Sequence, residues 1–283
     1  MAKRLLGKEV NAALNERVRA RADALREKGI IPKLAILRVG EREDDLSYER
    51  GAMKRCETLH VEAERYLLPA DCSQEQLLDT IRRLNEDTSV HGVLMFRPLP
   101  KTLNEAEAVE LLAAEKDVDG IKAESMAGVF MGKEIGYPPC TAQAVMEILE
   151  HYGIDCAGKK AVVVGRSLVI GKPVAMMLLQ KNATVTICHT RTRDLPAQAR
   201  EAEILVVAAG KAGVVDESYV TPGQIVIDVG IHVNDQGKLC GDVQLDRVEP
   251  VVEAITPVPG GVGGVTTSVL ISHVVSAAEK KES

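Results

Sequence analysis

Aromatic side chains are nearly missing from this chain of 283 residues: two Phe, five Tyr and no Trp, or 2% of the whole. A core must then be packed from Leu, Val, Ile, Ala and Met. Stacking platforms for single-stranded nucleic acid are argued against as well. Runs of a single charge are also missing. The net charge is −6 with no long basic stretch, which speaks against nucleic acid and anionic membranes as partners. No window reads as the ~20 apolar residues of a membrane span. The N-terminus has no apolar stretch suited to a signal peptide, so a cytoplasmic location is expected. The six cysteines (Cys56, Cys72, Cys140, Cys156, Cys188 and Cys240) form no C-x-x-C pair, and the His residues are scattered. No metal site is expected, and the thiols are expected to be free and buried.

What remains is an ordinary globular composition, 46% hydrophobic and 27% charged. At ~150 residues per domain the length suits two domains. Short β-branched runs alternate with helical periodicity, which predicts an α/β fold with mainly parallel sheets flanked by helices. In the first half the pattern predicts strands over 33–39, 60–68 and 90–96, and helices over 47–59 and 73–85. After Pro138 and Pro139 comes a helix over 141–152, and the alternation restarts. Strands are expected over 160–164, 183–188, 204–208 and 224–229, with a helix over 172–181. A last helix over 265–280 follows a Gly-rich loop and is expected to pack back on the first domain. The expected division is 1–139 plus 265–283 for one domain and 140–264 for a Rossmann-like second.

The strongest local signal is the G-x-S-x-x-x-G stretch from Gly165 through Arg166 and Ser167 to Gly171. A buried strand ends at Gly165, and a helix begins near Gly171 with Pro173 in its first turn. Orphan N–H groups and the dipole at a helix start favour a pyrophosphate, so a dinucleotide is expected here. The next strand ends without the carboxylate that would hold a ribose 2′-OH. Thr190 and Arg191, with Arg166, either hold a 2′-phosphate, which points to NADP, or form a plain solvated loop. Two further segments stand out: Lys116-Asp-Val-Asp-Gly120, with two carboxylates beside a glycine, and the Gly/Pro-rich stretch 255–264, whose backbone can approach a ligand closely.

Taken together, Tyr48, the Asp117–Gly120 motif, Gly165-Arg-Ser167, Gly171-Lys-Pro173, Val226-Ile-Asp-Val-Gly230, Gly241-Asp-Val243 and Thr256-Pro-Val-Pro-Gly-Gly-Val-Gly263 resemble the bifunctional methylenetetrahydrofolate dehydrogenase/methenyltetrahydrofolate cyclohydrolase family. The resemblance runs in order over nearly the whole chain. It implies NADP-dependent oxidation of 5,10-methylenetetrahydrofolate to the methenyl cation, then hydrolysis to 10-formyltetrahydrofolate. It further implies tetrahydrofolate derivatives as partners, a cleft between two domains, and a homodimer. Tyr48 would stack on the substrate and Asp119 would hydrogen-bond the pterin, as the catalytic pair. Pro259, Gly260 and Gly261 would lie beside the substrate. Gly165, Arg166, Ser167, Gly171, Thr190 and Arg191 would bind the phosphates and ribose of NADP, and Ile231 would meet the nicotinamide side.

The chain departs from the family pattern at one pair. Where the family motif Tyr-x-x-x-Lys has its lysine, this chain has Ala52. Where the family has the partner glutamine, it has Phe96. Lys54 lies roughly 200° further round a helix, and is expected to face away. Hydride transfer is mainly a matter of positioning, whereas hydration of the cation needs an activated water and a proton shuttle. The expected enzyme is therefore a dehydrogenase in which the cyclohydrolase step is weak or lost. The alternatives are another two-domain dehydrogenase with the same cofactor domain but a different small substrate, and a non-catalytic folate- or nucleotide-binding relative.

Overall fold

The structure, a computed structural model, describes residues 2–282. The chain forms two compact units: Ala13–Cys140 with Thr267–Ser283, and Met1–Ala12 with Thr141–Thr266.

The first of these is built on a three-stranded parallel sheet in the order Glu62–Leu68, Lys33–Val39, Gly92–Met95. Lys33–Val39 takes the centre because it is apolar at almost every position. Ala35, Leu37 and Val39 pack with Val93 and Met95 against Leu77, Ile81 and Leu84. Parallel pairing needs crossovers, supplied here by the helices Glu43–Thr58 and Gln74–Glu86. A capping box starts the second, with Ser73 Oγ accepting from the Gln76 amide and the Gln76 side chain returning to the Ser73 amide. The strand Glu62–Leu68 has only exposed and half-buried residues, as an edge does. The helix carrying Tyr48 begins at Glu43, earlier than its apolar pattern suggests, because its first turn is acidic and favours the dipole's positive end. The helical stretch expected ahead of Lys116 is the helix Glu105–Leu111, whereas Gly7–Glu27 and Ala123–Met131 are additional to those expected from the sequence.

The other unit holds a six-stranded sheet, parallel throughout, in the order Lys3–Arg4, Ala254–Ile255, Ile225–Asp228, Ile204–Val207, Lys160–Val164, Thr184–Cys188. From Lys160–Val164 the chain winds first to one side, to Thr184–Cys188, and then to the other, to Ile204–Val207. Strand order therefore reverses between Lys160–Val164 and Ile204–Val207. In open α/β sheets the crevice beyond the carboxyl ends at such a reversal is where ligands bind. A short antiparallel pair, His232–Val233 with Leu239–Cys240, stands outside this sheet.

The first residues do not join the unit that follows them in sequence, as the expected division 1–139 has it. Lys3–Arg4 instead pairs with Ala254–Ile255 at the edge of the six-stranded sheet. Arg4 Nε meets Glu249 Oε1 at 2.6 Å, the Leu6 amide donates to Tyr152 Oη at 2.7 Å, and Leu5 is 1% exposed. The sheet offers this segment backbone partners and an apolar slot. The later boundary falls before Thr267 rather than Val265. The stretch Val262–Lys281 is long and apolar enough, by length and composition, to cross a membrane, which the sequence reading does not anticipate. Its most apolar window is 61% buried inside the fold, where Val269, Leu270, Val274 and Val275 serve the core. All six cysteines are free, and five are buried.

Leu5→Ala tests the N-terminal segment. Removing a buried leucine is expected to lower stability by about 2–5 kcal/mol, read as a shift in the urea midpoint. A midpoint unchanged from wild type would mean that the segment adds nothing to the core.

Candidate active site

The turn after Lys160–Val164 is shaped by close approach. Gly165 has φ +139°, and a Cβ there would lie 2.1 Å from the Ala208 carbonyl oxygen. A Cβ on Gly171 would meet the Gly165 carbonyl oxygen at 2.3 Å. Ser167 Oγ accepts from the amides of Ile170 at 3.1 Å and Gly171 at 3.4 Å, and its carbonyl accepts from Lys172 at 3.0 Å. The start of the helix Gly171–Gln180 is thus already satisfied from within. The amides left without a partner among the described residues are those of Arg166, Ser167, Leu168 and Val169, in the exposed turn itself. A phosphate is better served there than at the helix start that the sequence suggests.

At the neighbouring strand end, His189 organises a tight turn. Its amide donates to Thr192 Oγ1 at 2.9 Å, and its Nδ1 accepts from the Arg191 amide at 3.0 Å. This leaves Thr190 and Arg191 exposed. The guanidinium groups of Arg166 and Arg191 have no carboxylate partner among the described residues, unlike the unit's paired Arg4 and Arg247. Free amides beside unpaired arginines suit a dinucleotide bearing an extra phosphate.

Two buried aspartates brace the adjoining loops. Asp228 accepts from the amides of Gly230, Asp242 and Val243, each at 3.0 Å. Burial pushes its carboxyl up to about 7, against those hydrogen bonds. Asp242 accepts from Gly210 and Lys211 and meets His232 Nε2 at 2.7 Å. These contacts explain the Asp-Val-Gly and Gly-Asp-Val motifs as scaffolding: a Cβ on Gly241 would fall 1.8 Å from Asp228 Oδ2. They present Ile231 with its side chain exposed. A Cβ on Gly263 would lie 2.5 Å from Ile231 Cδ1. Pro259 and Gly260 are exposed and Gly261 is buried, in a loop tied down where the Gly7 amide donates to the Gly260 carbonyl at 2.8 Å.

The other unit brings Tyr48 and Asp119 together. The two aspartates of the Asp-Val-Asp motif divide their work. Asp117 is fully buried and accepts from the amides of Ile121 (3.0 Å) and Lys122 (2.8 Å) and from Ser125 Oγ (2.7 Å). It fixes the loop. Asp119 is left to face Tyr48, Arg97 and the Cys140 thiol, and its carboxyl is pushed up to about 6 by burial and by Asp117. Burial, with Asp119 and Cys140 nearby, raises the Tyr48 phenol, which is hydrogen-bonded to Thr267. The sequence reading misses two supports. Cys140 Sγ donates to the Val118 carbonyl at 3.3 Å, and His273 Nδ1 lies 2.8 Å from the same oxygen while its ring stacks on Tyr137 at 5.1 Å. Burial lowers His273 to about 4, so it is neutral and donates through Nδ1. Only the Pro138–Cys140 stretch offered a signal for either.

Residues 139–282 match the NAD(P)-binding domain of tetrahydrofolate dehydrogenase/cyclohydrolase, and residues 5–119 match its catalytic domain. The chain belongs to this family. A bifunctional protein FolD of Carboxydothermus hydrogenoformans is 53% identical over 281 residues, 99% of this chain and 98% of that protein. The crystal structure of bifunctional FolD from Campylobacter jejuni superposes with a TM-score of 0.96 at 37% identity, covering 99% of this chain and 100% of that one. The Trypanosoma brucei N5,N10-methylenetetrahydrofolate dehydrogenase-cyclohydrolase, solved with NADP cofactor and inhibitor, gives 0.92 at 33% identity, covering 99% and 98%. Family membership makes this chain an NADP-dependent oxidoreductase of tetrahydrofolate one-carbon chemistry.

Within that family the departures at Ala52 and Phe96 have a definite geometry. Ala52 is 0% exposed on the inner face of the helix Glu43–Thr58, while Lys54 is exposed to solvent. Phe96 is buried and meets Tyr48 edge-on, with ring centroids 5.7 Å apart at 86°. An apolar edge thus faces the tyrosine where the family has a polar pair.

Replacing Arg166 or Arg191 by Ala is expected to weaken NADP binding more than NAD binding, because each removes a cation from the extra phosphate. Titration of both cofactors against each variant checks this. Equal losses for the two would show that these arginines meet some other part of the dinucleotide.

Proposed function

We propose that this chain is an NADP-dependent 5,10-methylenetetrahydrofolate dehydrogenase whose cyclohydrolase step is weak or lost. The observation that carries the reading is the buried, apolar pair Ala52 and Phe96 beside Tyr48. In this reading Tyr48 stacks on the folate and Asp119 accepts two hydrogen bonds from the amino-pyrimidinone edge of the pterin. Pro259, Gly260 and Gly261 lend backbone beside the substrate. The turn amides at Gly165, Arg166 and Ser167, the close packing at Gly171, and the side chains of Thr190 and Arg191 hold the phosphates and ribose, with Ile231 on the nicotinamide side. The active form is a homodimer in the cytoplasm, with neither nucleic acid nor membrane as a partner.

The chemistry follows from what these side chains can and cannot do. Bound NADP supplies the hydride acceptor. The protein's task in that step is to hold the reacting ring in line and to tolerate the cation formed, and no general base is needed. Asp119, once ionised, both orients the pterin and places a negative charge near the growing positive one. Hydrolysis of the cation needs a group that takes a proton from water. Ala52 has none, Phe96 cannot orient a water, and the phenol of Tyr48 is held protonated by burial. Lys54 points to solvent. The methenyl compound therefore leaves as the product.

Two measurements test this reading. Methenyl hydrolysis above the buffer background is expected to be low for the wild type, because a missing acid–base group costs ~10²–10⁴-fold. It is expected to rise when Ala52→Lys and Phe96→Gln are combined. A wild-type hydrolysis rate equal to its dehydrogenase rate would defeat the proposal.

The second measurement is the pH dependence of KM for methylenetetrahydrofolate. The carboxyl of Asp119, raised to about 6 among Asp117, Arg97, Cys140 and Tyr48, is ionised above that value. KM is expected to rise as pH falls through it, and Asp119→Asn should remove the trend. A KM that stays flat from neutral pH to one unit below that value in the wild type would rule out recognition by the ionised form.

A further inference from the structure

The helix Glu43–Thr58, which carries Tyr48, begins without the usual anchor. Arg42 stands at its N-cap and makes no side-chain capping bond, and Glu41–Asp44 are exposed. Beyond an exposed contact from Arg42 Nη1 to the Pro98 carbonyl at 3.3 Å, this part of the helix is tied down by a buried ion cluster at the next residue after the tyrosine. Glu49 is 5% exposed, and its Oε2 accepts from Arg38 Nε at 2.8 Å. Its Oε1 meets Arg65 Nε at 3.0 Å. Arg38, 4% exposed, comes from the central strand Lys33–Val39 and also donates to the Gly40 carbonyl where the chain leaves that strand. Arg65 comes from the edge strand Glu62–Leu68. One carboxylate therefore joins the helix to two strands and to the loop that feeds it.

Stability alone is a poor reason for this arrangement. A buried ion pair repays its desolvation only partly, and well-packed apolar residues of the same volume often do as well or better. What this fork adds is direction: a charge-assisted hydrogen bond to one carboxylate oxygen and an ion pair to the other fix how the helix is turned about its axis. That rotation sets where Tyr48 points, since successive helical residues lie about 100° apart. Of the residues around the tyrosine, Phe96 meets the ring edge-on and Thr267 meets the hydroxyl, with Asp119 and Cys140 also nearby.

We infer that Arg38 and Arg65, acting through Glu49, are positioning residues that hold Tyr48 at the angle the folate ring requires. The inference rests on the proposal that Tyr48 meets the folate. It makes the cluster a determinant of folate affinity rather than of cofactor affinity, because every residue in it belongs to the unit that carries Tyr48.

The test is the double variant Arg38→Met with Glu49→Leu, which removes both buried charges and leaves the half-exposed Arg65 to solvent. KM for methylenetetrahydrofolate and for NADP, and the urea midpoint, are measured beside Tyr48→Ala. The expected result is a rise in folate KM on the order of tenfold to a hundredfold, as for a misplaced positioning group, with NADP KM unchanged. The urea midpoint is expected to stay near wild type. Wild-type folate KM in the double variant would overturn the inference and leave the cluster as packing. If the double variant does not fold, Glu49→Asp decides instead. It keeps the charge but shortens the reach, so a raised folate KM supports positioning and an unchanged one overturns it. Tyr48→Ala separates the two layers. An unchanged folate KM there means that the role given to Tyr48 has failed, and the inference falls with it. A raised KM in Tyr48→Ala beside wild-type behaviour in the cluster variants means that only the inference has failed.

Discussion

Parallel strand pairing is the constraint on which the rest of this molecule hangs. Every pair in both main sheets is parallel. Each strand must then be followed by a crossover, and all carboxyl ends of a sheet emerge on one side. The residues proposed to have chemical roles lie just past those ends. Gly165 to Ser167 follow Lys160–Val164, Thr190 and Arg191 follow Thr184–Cys188, and Ile231 follows Ile225–Asp228. Pro259 to Gly261 follow Ala254–Ile255, Phe96 follows Gly92–Met95, and Tyr48 rides the helix after Lys33–Val39. Asp119 is the exception. It follows a 3-10 turn and needs a buried anchor of its own, Asp117, to hold its loop.

Much of this was legible in the residues because parallel strands are apolar on both faces. Lys33–Val39 and Lys160–Val164 have the bounds that their β-branched runs suggest. The helix Gly7–Glu27 is hard to see in the sequence, since its polar content hides a moderate apolar stripe. The place of the first twelve residues was also illegible, because a two-residue strand has no period of its own and takes its identity from Ala254–Ile255. The ion cluster on Glu49 left one trace, an arginine inside an otherwise apolar central strand. Its partners lie on other elements, and only the fold unites them. Likewise nothing in the sequence joins His273 to Val118, although the two bond at 2.8 Å.

The structure also separates two kinds of motif residue that look alike on paper. Asp228 and Asp242 belong to motifs as marked as that of Asp119, yet they spend their oxygens on backbone amides and leave none for a ligand. Asp119 has a thiol, a phenol and an arginine nearby but no such amide set. A carboxylate whose hydrogen bonds are all internal is scaffolding, and one whose neighbours are side chains can turn to a substrate. Glu49 belongs with the scaffolding, because both its oxygens are already engaged by arginines within the fold.

The state of the sulfur atoms has a practical consequence. Cys56, Cys72, Cys140, Cys156 and Cys188 are buried, and burial raises each of their thiols. Such thiols are poor nucleophiles. Cys240, in the short antiparallel pair, is the one partly exposed cysteine of the six. An alkylating dye applied to the folded protein would therefore attach at one place, next to the loop braced by Asp228 and Asp242. The native chain offers a ready-made labelling position for fluorescence from that part of the dinucleotide-binding unit, with no cysteine to be engineered in or out.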